Sequence, residues 1–153
     1  ASFIEAFLFL NLEMKIILNI SRNIIALILG LFLGGMINML IINNGGGFIA
    51  PPEGVNPNDI ESIKENMHLY TPIHFLIPFL AHAMGTFIGA LITSLIAVSF
   101  RMYLAIGVGF CFLIGGIMMV LMLPSPLWFN IIDLCLAYLP MGWLGWKIGS
   151  KIN

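Results

Sequence analysis

Four apolar runs constrain this chain more than anything else in it, at about 23–42, 74–100, 102–123 and 127–148. Each reaches about 20 residues or more, and at 1.5 Å rise per residue that matches the ~30 Å hydrocarbon thickness of a bilayer. The runs are continuous rather than alternating, which favours helices over a β-barrel. Only 8% of the 153 residues are charged, against 60% hydrophobic, and the mean hydropathy is +1.06. Ordinary soluble domains carry roughly 25% charged residues. The expected fold is therefore all-α: a polytopic membrane protein, a bundle of four transmembrane helices with a short helix in its outer loop. Pro78 falls early in the second helix, where proline is tolerated, and Pro140 predicts a kink in the fourth.

Charge sets the orientation. Lys15 and Arg22 precede the first helix, Arg101 lies in the tight link between the second and third, and Lys147 and Lys151 end the fourth. Lys64 alone falls on the opposite side, with Glu53, Asp59, Glu61 and Glu65. The positive-inside rule places both termini and the second link in the cytoplasm. A net charge of −1 and the lack of a basic patch exclude a nucleic-acid partner. The expected partners are the lipid bilayer and either a second copy of the chain or other subunits of a membrane complex.

The loop at 43–73 is the one sizeable element outside the runs. Gly45-Gly46-Gly47 and Pro51-Pro52 break regular structure. Beyond them Asn58 or Asp59 can cap a short helix whose Ile60, Ile63 and Met67 recur at helical spacing. Residues 1–13 are apolar but too short to span and carry Glu5 and Glu13. Met14-Lys15 resembles a natural start. The first thirteen residues thus read as an upstream or artificially appended extension, with an interfacial helix as the alternative, and 14–153 as one four-helix domain.

Small residues recur every four positions. Ala26, Gly30, Gly34 and Asn38 mark one face of the first helix, and Ala81, Gly85, Gly89 and Thr93 one face of the second. The third offers Gly107, Cys111 and Gly115, the fourth Gly142, Gly145 and Gly149. Such faces let helix backbones approach closely, as packing in lipid requires. They suit an intramolecular bundle better than a dimer interface. Cys111 and Cys135 form no CxxC pair and read as small buried hydrophobes.

Against this background Asn38, His82 and Asp133 stand out, each inside a different run and each about 7–12 Å below the outer boundary by helical rise. Asn130 shares the face of Asp133, and His74 sits near the mouth. Glu61, Glu65 and His68 of the loop are placed to close over them. Ionisable groups within a membrane mark functional sites by default. Two accounts stay open. His82 and Asp133 either form a buried pair that fixes helix register, completed by Asn38, or line an outward pocket for a small polar ligand, a proton or, least of the three, a metal. The first predicts that Asp133→Asn lowers thermal stability; the second, that it abolishes binding in an intact fold.

Sharper chemistries fail on counting. A dihaem bundle needs four axial histidines, a disulfide–quinone enzyme needs a redox cysteine pair, and no serine lies at the depth of His82. No cofactor or metal is called for. Phe100, Tyr103, Trp128, Trp143 and Trp146 lie near helix ends and read as interfacial belts.

The segments PPEGVNPNDIESIKENMHLYTPIHFLIPFLAHAMGTFIGALI and MLPSPLWFNIIDLCLAYLPMGWLGWKIG together resemble small four-helix integral membrane proteins of bacteria that carry no assigned activity. The resemblance runs from Met14 onward and implies the same architecture in the bacterial cytoplasmic membrane. The functional expectation is a non-enzymatic accessory or interaction component. The alternative is a small-molecule or proton-handling protein, a minimal transporter or membrane enzyme, built on Asn38, His82 and Asp133.

Overall fold

The structure, a computed structural model, describes residues 3–152, apart from the side chains of Ile4 and Ala6. Ala1 and Ser2 of the expected upstream segment and the terminal Asn153 lie outside it. The described chain is all-helical and contains no strand. Six α-helices follow in order: α1 (Phe3–Gly45), α2 (Ile60–Glu65), α3 (Leu76–Ile96), α4 (Arg101–Met122), α5 (Leu127–Leu136) and α6 (Leu139–Ile152). Two 3-10 turns, Met67–Leu69 and Pro72–Phe75, lead from α2 into α3. Four helical segments are long and apolar enough to cross a membrane: Phe7–Gly45, Pro72–Ile96, Arg101–Met122 and Leu127–Ile152.

Helix α3 is the centre, packed against α1 on one side and α4 and α6 on the other. Its contact with α1 is made by the two small-residue stripes. A methyl group added at Gly34 would stand 2.5 Å from the Gly85 carbonyl oxygen, and one at Gly85 would stand 2.8 Å from that of Gly34. The Thr93 hydroxyl shares its proton between the Gly89 carbonyl of its own helix at 2.9 Å and the Ala26 carbonyl across the seam at 3.2 Å. Gly142, Gly145 and Gly149 bring α6 onto Gly109 of α4 and onto Ala90 and Ser94 of α3. The fully buried residues are mostly alanines, while Phe32, Phe110, Met118 and Leu121 point outward.

Helix α4 departs from the expected stripe. Its packed face is Ala105, Val108, Gly109 and Gly116, whereas Gly107 and Gly115 have open space beside them and Cys111 is exposed. Small residues occur on both faces of this helix, and spacing alone does not say which one turns inward. Cys135 is also exposed, so neither cysteine is the buried hydrophobe that its apolar run suggested.

Helix α1 runs unbroken from Phe3, so no boundary separates the described part of residues 1–13 from the first span. The second helix stops at Ile96 rather than near 100, and Arg101 opens α4 instead of lying in the link. Residues 97–100 form the link, and Asn23 of α1 holds it. Its Oδ1 accepts from the Val98 and Ser99 amides at 3.1 and 3.4 Å, and its Nδ2 donates to the Ser99 hydroxyl at 2.7 Å. Phe100 then takes a left-handed conformation, φ 53°, that turns the chain into α4. Asn23→Ala removes all three bonds and leaves two amides without their acceptor. It is expected to cost about 1–2 kcal/mol in reversible unfolding, against a negligible change for the exposed Ile24→Ala.

The fourth span is broken rather than kinked. It ends as α5 at Leu136, passes through Ala137 and Tyr138, and restarts as α6 at Leu139. Pro140 is responsible, but at a distance. It lacks the N–H that the Leu136 carbonyl would accept and its ring crowds that carbonyl, so the turn before it opens and Pro140 falls in the first turn of a new helix.

Candidate functional site

Stripe membership decides where α3 presents its polar group. Ala81, Gly85 and Gly89 face α1, and His82 comes one residue, about 100° of rotation, round the helix from Ala81. This turns the imidazole toward α5. There Asp133 lies 2% exposed. His82 Nδ1–H donates to both carboxylate oxygens, at 2.9 and 3.0 Å, across 51 residues of sequence. A carboxylate only accepts, so this contact puts the ring proton on Nδ1.

A third member was not foreseen. Tyr138 donates its hydroxyl to Asp133 Oδ2 at 2.9 Å, and its ring stacks on that of His82 with centroids 5.7 Å apart. In a continuous helix a side chain five positions on points well away from Asp133. The break at Ala137–Tyr138 brings it back. The available signal was Pro140, read two residues further upstream. Gly116 of α4 makes room: a methyl group there would collide with the Tyr138 hydroxyl.

His82 and Asp133 help form the wall of a cavity of about 230 Å³. Ile42 of α1, Ile77 of α3 and Met119 and Val120 of α4 are among its sides, and Ile63 and Met67 of the outer loop also line it. His74 and Asn130 line it as well. The Thr71 amide donates to His74 Nδ1 at 2.9 Å, so the proton of the neutral ring resides on Nε2. The Asn130 amide nitrogen donates to the Ser125 carbonyl at 3.3 Å, while its Oδ1 is buried without a protein partner. Thr86, one turn beyond His82, also has a buried hydroxyl without a partner. Burial lifts the Tyr70 phenol above its ordinary pKa and keeps it an O–H donor beside the cavity.

Four of the five polar residues singled out from sequence thus share one cavity: His74, His82, Asn130 and Asp133. Asn38 does not. It continues the stripe of Gly30 and Gly34 and stands against Gly85, outside the cavity lining. Glu61, Glu65 and His68 are exposed and also lie outside it. The loop presents Ile63, Met67 and Tyr70 instead. Asp59 does cap α2, its Oδ1 accepting from the Glu61 amide at 3.1 Å, and this cap starts the helix that carries Ile63. Among the described residues no three His, Cys, Asp or Glu side chains gather as metal ligands would.

Chemically the arrangement is a carboxylate-oriented imidazole. Asp133 fixes the orientation of the ring and the position of its Nδ1 proton, as a carboxylate partner does for a general base. Among the described residues His82 Nε2 has no hydrogen-bond partner, and the side chain keeps 18% of its surface accessible. No family model, curated protein or solved structure matches the chain, so the reading of this site rests on its geometry.

Proposed function

We propose that this chain is a small integral protein of the bacterial cytoplasmic membrane that binds a small molecule, or takes up a proton, in the cavity walled by His82 and Asp133. Its large apolar side chains face outward and its alanines and glycines inward, the distribution that packing in lipid favours. Both ends lie in the cytoplasm. Arg22 reaches the Ile96 carbonyl and Gly149 packs on Ser94, so the cations at Arg22, Arg101, Lys147 and Lys151 belong to one end of the bundle. The cavity lies toward the other end, and Ile63 and Met67 of the loop that holds Lys64 line it.

One observation carries the reading. The dyad is sealed on its Asp133 side and accessible on its His82 side, at a cavity wall. A pair that served only to fix helix register would gain nothing from a hollow beside it, since a void forfeits dispersion contacts. The loop of about 30 residues is long for a passive connector, and its Ile49, Ile63, Met67 and Tyr70 line that hollow.

The test is native mass measurement of the chain purified in gentle lipid-like conditions, beside Asp133→Asn. A discrete small molecule on the wild type, lost from a variant that melts within about 3 °C of it, is the expected result. A melting temperature that falls sharply with nothing bound to either protein would make the dyad structural. A defined protein assembly without any small molecule would return the chain to the role of accessory component.

A further inference from the structure

The cavity carries enough chemistry to name what it takes, on the premise that it is a binding site. We infer that its ligand is a neutral, largely apolar molecule about the size of one substituted ring, which presents a hydroxyl to His82 Nε2. Size comes first. An apolar cavity of about 150 Å³ accepts benzene, so about 230 Å³ accommodates a ring with a short substituent or an equal volume of alkyl chain. The walls come next: Ile42, Ile49, Ile63, Ile77, Met119 and Val120 offer dispersion contacts and no hydrogen bonds.

Charge then removes several classes. No lysine or arginine lines the cavity, and a carboxylate lies at its wall. A phosphate, sulfonate or carboxylate would lose its water shell there without a counter-charge and beside a group of its own sign. Anions are excluded.

The remaining polar groups set the sign of the contact. Both Asp133 oxygens are engaged, by His82 Nδ1–H and by the Tyr138 hydroxyl, and the residue is almost fully buried. What this wall offers is therefore Nε2 of His82, and with the proton held on Nδ1 that nitrogen is an acceptor. A ligand must donate to it. A hydroxyl is the smallest neutral group that does so, and a phenol donates more strongly than an aliphatic alcohol. Near the mouth the sign reverses, because His74 accepts from Thr71 at Nδ1 and carries its proton on Nε2. His74 and His82 are eight residues, about 12 Å of helix, apart. A molecule with its hydroxyl inward and an ether or carbonyl oxygen outward meets both.

Three probes of nearly one shape test this: 4-propylphenol, 4-propylanisole and 4-propylbenzoate. Each is equilibrated with lipid nanodiscs holding the full chain, with binding to empty discs subtracted. The wild type is expected to hold the phenol at least about tenfold more tightly than the methyl ether, because the ether leaves Nε2 unpaired, and to hold no benzoate. In His82→Phe, which keeps an aromatic ring in place, that ratio is expected to fall to about one while weak binding of the ether persists. His82→Gln is the second variant should the first not fold, and the wild-type ratio decides without either. Equal binding of phenol and ether by the wild type would overturn the hydroxyl inference and leave the binding site standing. Preferred binding of benzoate would show the sign of the contact to be wrong. Failure of all three to bind the folded wild type would remove the binding-site reading and the inference with it.

Discussion

Gly34→Leu is expected to detach α1 from the bundle, while the same change one residue later, Gly35→Leu, is expected to leave stability unchanged or slightly raised. At Gly34 the first added carbon would stand 2.5 Å from the Gly85 carbonyl oxygen, 3.1 Å from the Gly89 Cα and 3.2 Å from the Phe112 ring. Two of those three neighbours are backbone of α3, and a helix backbone cannot turn aside as a side chain can. The helices must separate, and α1 has little else to hold it, since it touches α4 only lightly and packs mainly on α3. Overpacking of a core commonly costs 1–3 kcal/mol. A backbone clash at the crossing point of two helices should reach about 3 kcal/mol or more. At Gly35 the first added carbon meets nothing within 4 Å, and leucine is the better helix former by up to about 1 kcal/mol. Reversible unfolding of both variants in one detergent reads the difference directly. Equal stabilities would mean that the α1–α3 seam is not a close backbone contact.

Asp133→Leu should be the most damaging single change at the dyad, and His82→Phe in the same chain should repair most of it. Removing the carboxylate strands the His82 Nδ1–H and the Tyr138 hydroxyl, both of which donate to it. Breaking a buried pair by deleting one partner costs about 3–5 kcal/mol, whereas replacing both partners by apolar groups of similar volume is often neutral or stabilising. The double variant retains one stranded donor, Tyr138, and is expected about 1–2 kcal/mol below the wild type. Adding Tyr138→Phe should recover that remainder. The measurement is a set of unfolding free energies for the single, double and triple variants. A double variant no more stable than Asp133→Leu alone would show that His82 does not depend on the carboxylate. In the proposed reading the triple variant is well folded and no longer prefers a hydroxyl-bearing ligand.

The spans were legible because a run of about 20 apolar residues has few alternatives. The α1–α3 seam was legible because two stripes of equal period and opposite direction interlock, Gly30 and Gly34 with Gly85, Gly89 and Thr93. The dyad was half legible. Depth along a helix can be counted from the end of a run, and it puts His82 and Asp133 level. Direction around the helix cannot be counted that way, and this is why Asn38 was grouped with them. Its place on the Gly30–Gly34 stripe already assigned it to α3 rather than to the cavity. Tyr138 was hidden because its contact with Asp133 exists only where helical periodicity stops. On α4 the residue types offered two equivalent faces, and only the neighbours, Tyr138 and Gly142, select the one at Gly109 and Gly116.

The central place of α3 also has a consequence for biogenesis. Chains emerge and fold from the N-terminal end, so α1 enters its surroundings before the helix that covers its glycines exists. It must wait as a lone helix until α3 follows and the small stripes meet. His82 arrives with α3, still without its acceptor, and Asp133 comes last, on the broken segment that closes against α3 and α4. The hydrogen bond between them thus belongs to the last group of long-range links, with those that α6 makes to α3 and α4. Any property that depends on it, whether a bound molecule or the tautomer of the imidazole, appears only in a chain whose last helix has docked. The site is in this sense a checkpoint on its own assembly.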